Sequence, residues 1–359
     1  MVKNEHYIPQ FLLKNFSVKR KRKYHTNIYD ISRDQFRRNQ DIRRVCARRF
    51  LYDKDNFVED ILDRYVERPA AEVISRLLNS PTSFQGTQLR ELLRFISVQL
   101  ARTPGYFKES QDFLNAFTGT IFKEWARLNG YPISSAERLR LVPTEARSVY
   151  AYLTLDSVFN WLLFADLSLH VLINATKDEF ILSDHPVVQY NWFLRDDKSP
   201  SATSVTNRGL QIFLPISSSI TCCLYDDQVY CYGSGPEHFT ILGDPADIEI
   251  LNSFQSLNAT DFLICKSEAM ETSLSTLGRR YSQVQLFESH ASNTPASDAG
   301  AGRLSSIHFV WRTQATVPQM PSFVNIRDEL QGIPPECKER RPDIVEGHSL
   351  LKKLIWGKT

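Results

Sequence analysis

The chain has 359 residues, 42% of them apolar and 23% charged, a composition that excludes a disordered chain and can fill the core of one large domain or two small ones. No stretch reaches the roughly 20 apolar residues of a membrane-spanning helix, and the start Met1-Val2-Lys3-Asn4-Glu5 has no apolar signal core, so a reduced, cytoplasmic protein without a membrane partner is expected. The net charge of +2 is unevenly spread: residues 1–50 carry fourteen Lys and Arg against four Asp and Glu, which leaves −8 on the other 309 and points to an anionic partner or an internal charge match.

In chain order, His6-Tyr7-Ile8-Pro9 leads into a short helix entered through Pro9, with Phe11, Leu12 and Phe16 near one face. Lys19 to Lys23 is an unbroken basic run, and Tyr24 to Ile31 alternates like a strand, for which Ile42 to Cys46 is the expected partner. Phe50-Leu51-Tyr52 reads as an anchor before a long helix. That helix starts near Asn56, with Val58, Ile61, Leu62, Tyr65 and Val66 at helical spacing and Pro69 expected to kink it. Further helices are expected over about 87–101, 106–130 and 144–165.

The period then changes. Leu167 to Ile173, Phe180 to Leu182, Leu210 to Leu214, Ile220 to Tyr225, Val229 to Tyr232 and Phe262 to Cys265 read as strands, and Pro245 to Asn258 as a helix. The predicted fold is α+β: a mainly helical part (about 53–165) packed on a mixed or antiparallel sheet (about 166–288), together one domain over 1–288. The Ser-, Ala- and Gly-rich stretch 289–306 reads as a flexible linker and 307–359 as an appended C-terminal segment.

Several blocks together resemble one family. They are His6-Tyr7-x-Pro9 with Leu13 and Phe16, the anchor Phe50-Leu51-Tyr52 before Glu59 and Glu67, Arg102-Thr103-Pro104, Ser183-Asp184-His185-Pro186, and Leu214-Pro215-Ile216-Ser217. In this order they resemble the bacterial domain-of-unknown-function family 4238, over roughly residues 6–288. The resemblance implies the outline of a site and supplies no mechanism.

The polar residues of these blocks are the candidate chemistry. Glu59, Asp63 and Glu67 are spaced i, i+4, i+8 and share a helix stripe, so they need a cation or an arginine among them. Glu59, Glu67 and Asp184 are candidate ligands for Mg²⁺ or Mn²⁺, both of which take oxygen donors. His6, Glu67 and Asp184 are candidate catalytic groups, with His6 as acid or base. Arg102, Arg43, Arg44 and His185 are candidate substrate contacts, a guanidinium being suited to phosphate or carboxylate. For Asp184 the competing reading is a turn cap, for Arg102 a helix C-terminal cation, and for the acidic stripe a solvated face.

No phosphate loop, GxGxxG, HExxH or GxSxG motif occurs, and the six cysteines form no CxxC pair for zinc. The expectation is a nucleic-acid-processing, nuclease-like enzyme, of the phage-defence or toxin type, that holds RNA or DNA through its basic N-terminal segment. The alternative is a non-catalytic sensor module that binds nucleic acid or a partner protein, the same residues being a structural polar network.

Overall fold

The structure, a computed structural model, describes residues 4–52, 56–83, 89–136, 139–197, 203–233, 235, 237–295, 306–331 and 339–357. The architecture is α+β, as the change of period predicts. A five-stranded sheet runs Phe239–Leu242, Ser168–Asn174, Ile220–Tyr225, Gln211–Ser217, Val188–Tyr190. All its pairings are antiparallel except that of Phe239–Leu242 with Ser168–Asn174.

A second sheet joins distant parts of the sequence. Phe262–Cys265 lies between Lys23–Asp30 and Leu182–Ser183, and Lys23–Asp30 also pairs with Val18–Arg20 and Gln35–Asp41. The expected partner Ile42 to Cys46 is therefore replaced by Gln35–Asp41. Ile42–Arg44 becomes a 3-10 turn because the Asp41 carboxylate accepts from the Arg43 backbone N–H at 3.1 Å and caps it. On this edge the basic segment is partly matched internally: Arg20 meets Glu268 at 3.4 Å, and Arg38 meets Glu268 at 3.9 Å and also pairs with Glu271.

The helical part keeps its predicted outline as Leu89–Ala101, Pro104–Leu128 and Ala146–Ser157. Pro69 acts differently from expectation. Between the helices Phe57–Leu62 and Arg68–Asn79 lies a π turn, Asp63–Glu67. Pro69 has no N–H to offer the carbonyl of Tyr65, four residues back, and its ring crowds that carbonyl. The wider turn absorbs the conflict, and Arg94 donates to the Tyr65 carbonyl at 3.5 Å. The helix path continues with Glu67 re-aimed.

The C-terminal region differs from the linker expectation. Residues 289–295 belong to the strand Phe287–Pro295, which pairs antiparallel with Ser306–Gln314 over nine positions, while 296–305 lie outside the described residues. Small polar side chains do not prevent pairing once a cross-strand partner is supplied. The hairpin lies on the helix Pro104–Leu128, where His308 Nδ1 and Thr120 Oγ1 are 2.8 Å apart. Arg340, within the appended segment, is buried against Asp166 at 2.6 Å and the Leu163 carbonyl at 2.7 Å.

Candidate active site around Arg102

The N-terminal block is locked before any chemistry is considered. Tyr7, Ile8, Leu12, Leu13 and Phe16 are buried, and Pro9 opens the helix Gln10–Asn15. The Tyr7 N–H donates to Cys46 O at 3.0 Å, and Gln99 Nε2 donates to Tyr7 O at 2.8 Å. The strand Asn4–His6 pairs with Ala47–Arg49, setting Asn4 opposite Arg49, Glu5 opposite Arg48 and His6 opposite Ala47. His6 is 7% exposed and its Nε2–H donates to Ile42 O at 3.3 Å, which makes Nδ1 the basic nitrogen. Burial lowers the His6 pKa, so the ring is neutral near pH 7.

Arg102 follows the last residue of Leu89–Ala101 and is 0% exposed. Its Nη1 donates to Glu67 Oε1 at 2.7 Å and its Nη2 to the His6 carbonyl. Tyr150 fixes the backbone here, its hydroxyl donating to Arg102 O at 3.2 Å. Burial works against the guanidinium charge, but Tyr52, Glu67 and Glu59 around it reverse that effect and raise its pKa. Arg102 is charged and shares the interior with two acidic side chains.

Tyr52 and Glu59 complete the group. The Glu5 carboxylate accepts the Tyr52 N–H at 2.9 Å and so positions Tyr52. Glu59 Oε2 is buried without a hydrogen-bond partner, while the Tyr52 hydroxyl lies against the Arg102 guanidinium, which works against the effect of burial on Tyr52. Burial pushes the Glu59 pKa up to about 7, Arg102 pulls it down, and Glu67 and Glu5 push it further up. The backbone that delivers these groups is strained: Cys46, Phe50 and Asn56 have φ of 52°, 50° and 59°, in the left-handed region that non-glycine residues avoid. The π turn that aims Glu67 adds a second irregularity of a kind frequent at functional sites.

Asp184 and His185 form a separate cluster. Asp184 is 1% exposed, and its two oxygens accept the backbone N–H groups of Thr260 and Asp261, both at 2.8 Å. It thus caps the turn between the helix Pro245–Asn258 and the strand Phe262–Cys265. Burial pushes its pKa up to about 7, against the pull of those N–H donors. Asp184 makes no hydrogen bond or ion pair with His6, Glu59, Glu67 or Arg102 among the described residues. The expected three-carboxylate metal set therefore does not assemble, and no group of three His, Cys, Asp or Glu among the described residues is placed to hold a metal ion.

His185 is buried and faces Thr103, whose hydroxyl caps the helix Pro104–Leu128 by accepting from the Tyr106 N–H at 3.3 Å. The same hydroxyl is hydrogen-bonded to His185 Nδ1, and His185 Nε2 lies 3.9 Å from Glu109 Oε1. Burial lowers the His185 pKa to about 3, so the ring is neutral. Gly105 permits this approach: a Cβ there would lie 2.9 Å from Thr260 Oγ1 and 3.0 Å from His185 Cγ.

Amide side chains of Pro245–Asn258 complete the scaffold. Asn252 accepts the Ile181 N–H at 3.0 Å and donates to Glu179 O at 2.9 Å. Gln255 accepts the Ser183 N–H at 2.9 Å and donates to Pro186 O at 2.9 Å. Leu182–Ser183 is thus held by a strand, Phe262–Cys265, on one edge and by side-chain amides on the other. Asp184→Ala leaves two half-buried N–H groups without their acceptor, and a stability loss on the order of 2–4 kcal/mol is expected in chemical denaturation. A loss under about 0.5 kcal/mol contradicts the capping role.

The remaining candidates are at the surface. Arg43 is exposed and held by Asp41, with Nε 3.0 Å from Oδ1. Arg44 is exposed on the same turn, whose Ile42 carbonyl meets His6. Arg48 and Arg49 are exposed on the strand paired with Asn4–His6, Arg48 lying 4.0 Å from Asp261. The sequence blocks thus divide in two, joined through the adjacent residues Arg102 and Thr103.

A model of the family described as "Protein of unknown function (DUF4238)" matches residues 4–269. The chain belongs to the DUF4238 family. The DUF4238 region holds every residue of the Arg102 cluster, and the hairpin to Gln314 lies beyond it. No curated protein and no solved structure matches the chain.

His6, Glu59, Glu67 and Arg102 stand out in the sequence, whereas Tyr52 does so only as an anchor and Glu5 does not. The signal for Tyr52 is its place in an aromatic block just ahead of the acidic helix. For Glu5 it is an acidic residue adjoining His6 in a segment otherwise rich in bases.

Proposed function

We propose that the Arg102 cluster is an acid–base site acting on an anionic, phosphodiester-type substrate, which makes the chain a nuclease-like enzyme. One observation carries this reading: Glu59, whose carboxyl burial holds up to about 7 and whose Oε2 makes no hydrogen bond, lies with Tyr52 beside the fully buried, charged guanidinium of Arg102. Leaving a buried carboxylate oxygen unpaired costs stability, and a scaffold alone gives no reason to keep it there. Glu59 takes a proton from the attacking water or hydroxyl, a role suited to a group that titrates near neutrality. Arg102 and the Tyr52 hydroxyl offset the negative charge that grows on the phosphoryl oxygens. Neutral His6, with Nδ1 as acceptor, stands ready as a second base. The exposed Arg44, Arg48 and Arg49 beside His6 hold the phosphate backbone, with salt-dependent affinity.

Glu59 and Glu67 are the two carboxylates that a Mg²⁺ or Mn²⁺ ion would use, although Arg102 already pairs with Glu67. A cytoplasmic location goes with this reading, since the described cysteines are free thiols, and among the described residues no helix is long and apolar enough to cross a membrane. An effector role in phage defence is part of the same proposal.

The test is cleavage of single- and double-stranded RNA and DNA by the whole protein, with and without Mg²⁺. Cleavage by the wild type that falls at least about 100-fold in Glu59→Gln supports the site. Cleavage unchanged in Glu59→Gln refutes it. A second reading, the non-catalytic binding module, is favoured by the complete burial of Arg102 and by Asp184's capping bonds. It predicts salt-sensitive binding of RNA or DNA with no cleavage by the wild type.

A further inference from the structure

The helix Pro104–Leu128 is covered on one side by the C-terminal hairpin and leaves an apolar stripe exposed on another. Leu114, Phe117, Ile121, Trp125 and Leu128 are 45%, 38%, 37%, 49% and 51% exposed. Their spacing of three, four, four and three residues puts them within about 80° of one another around the helix axis and along about 21 Å of its length. The charged neighbour at the edge of the stripe is neutralised within the chain: Glu124 pairs with Arg127 at 2.6 Å. Tyr131 stacks on Trp125 at 5.2 Å and, with Ile133, extends the surface, being 56% and 48% exposed.

We infer that this stripe is the interface of a two-fold symmetric dimer, in which the helix Pro104–Leu128 packs antiparallel against the same helix of a second copy. Two features select a second copy over another partner. The first is self-complementarity. An antiparallel pairing centred on Ile121 sets Leu114 against Leu128, Phe117 against Trp125 and Ile121 against itself, so every apolar residue meets an apolar one across an isologous contact. Leu114, Ile121 and Leu128 also recur at seven residues, the seam spacing of paired helices.

The second feature is area. Side chains of this size, exposed by a third to a half, with those of the following loop, present on the order of 700 Å² per copy, close to the ~800 Å² per partner of a stable specific interface. An anionic membrane surface fits less well, because Lys108, Lys123 and Arg127 on this helix are balanced by Glu109, Asp112 and Glu124.

The experiment is sedimentation velocity of the full chain over about 1–50 μM, concentrations at or above the micromolar-to-picomolar dissociation constants of such interfaces. The mass of two chains is expected for the wild type and that of one chain for Ile121→Asp, with unchanged circular dichroism. The control Leu354→Asp, at an apolar residue 83% exposed on the helix Pro342–Trp356, is expected to remain dimeric. Crosslinking keeps the proposal testable if Ile121→Asp folds poorly. Ile121→Cys lies on the two-fold axis and is expected to form an intermolecular disulfide under mild oxidation, whereas Asn115→Cys, elsewhere on the helix, is not. A monomeric wild type over the whole range, or a dimer that survives Ile121→Asp without the Ile121→Cys crosslink, overturns the proposal.

Discussion

Replacing Arg102 by Ala is expected to lower the free energy of unfolding by about 3–5 kcal/mol, the largest stability effect of any single change at the site. The guanidinium is fully buried and joins three pieces of chain: the helix end at Ala101, Glu67 on the π turn and the backbone of His6. Removing it leaves Glu67 and the raised-pKa Glu59 without their common counter-charge and leaves the His6 carbonyl without this donor. Lysine does not restore the contact, because a single ammonium cannot reproduce the fork that reaches the Glu67 carboxylate and the His6 carbonyl together. Urea unfolding of Arg102→Ala and Arg102→Lys checks this. A loss below about 1 kcal/mol in Arg102→Ala means that the cluster is not what ties the N-terminal block to the helices.

Glu59→Gln is expected to behave in the opposite way. Glu59 titrates near pH 7 in the folded chain and near the ordinary carboxyl value of 4.5 when unfolded, so folding takes up a proton between those values. For a raised carboxyl the contribution to stability is full below about 4.5 and is lost as the pH rises through 7. Glutamine keeps the shape and removes the charge. The variant is therefore expected to exceed the wild type by on the order of 2 kcal/mol at pH 8, with the difference vanishing near pH 4.5. Unfolding measured from pH 4.5 to 8.5 tests this. A variant less stable than the wild type at pH 8 shows that the Glu59 carboxylate is a satisfied structural group.

The contrast between these two residues shows what the sequence makes legible. The helix stripe of Glu59, Asp63 and Glu67 and its need for a cation or an arginine follow from spacing, and in the fold Arg102 pairs with Glu67 while Arg68 pairs with Asp63. The α+β class follows from the change of period, because each element buries one face. The π turn is not legible, since it arises from Pro69 competing with the Tyr65 carbonyl inside a helix whose apolar spacing continues past it.

Nor is the separation of Asp184 from the Arg102 cluster legible. Asp184 precedes a proline at a strand end, where a cap and a catalytic acid look alike, and only the fold brings Thr260 and Asp261 to it. The pairing of Lys23–Asp30 with Phe262–Cys265 is equally hidden, because two strands more than 230 residues apart carry no local mark of each other. The pairing of Phe287–Pro295 with Ser306–Gln314 is half legible: Ile307 to Trp311 reads as a strand, whereas its partner is built largely from Ser, Ala, Asn and Thr, whose composition resembles a linker's.

The most direct test of the central claim is the rate of RNA and DNA cleavage by Glu59→Gln relative to the wild type at pH 8, where the variant is expected to be the more stable protein. An acid–base site around Arg102 predicts a loss of at least about 100-fold with no loss of folded protein. Equal rates in the two proteins would contradict it.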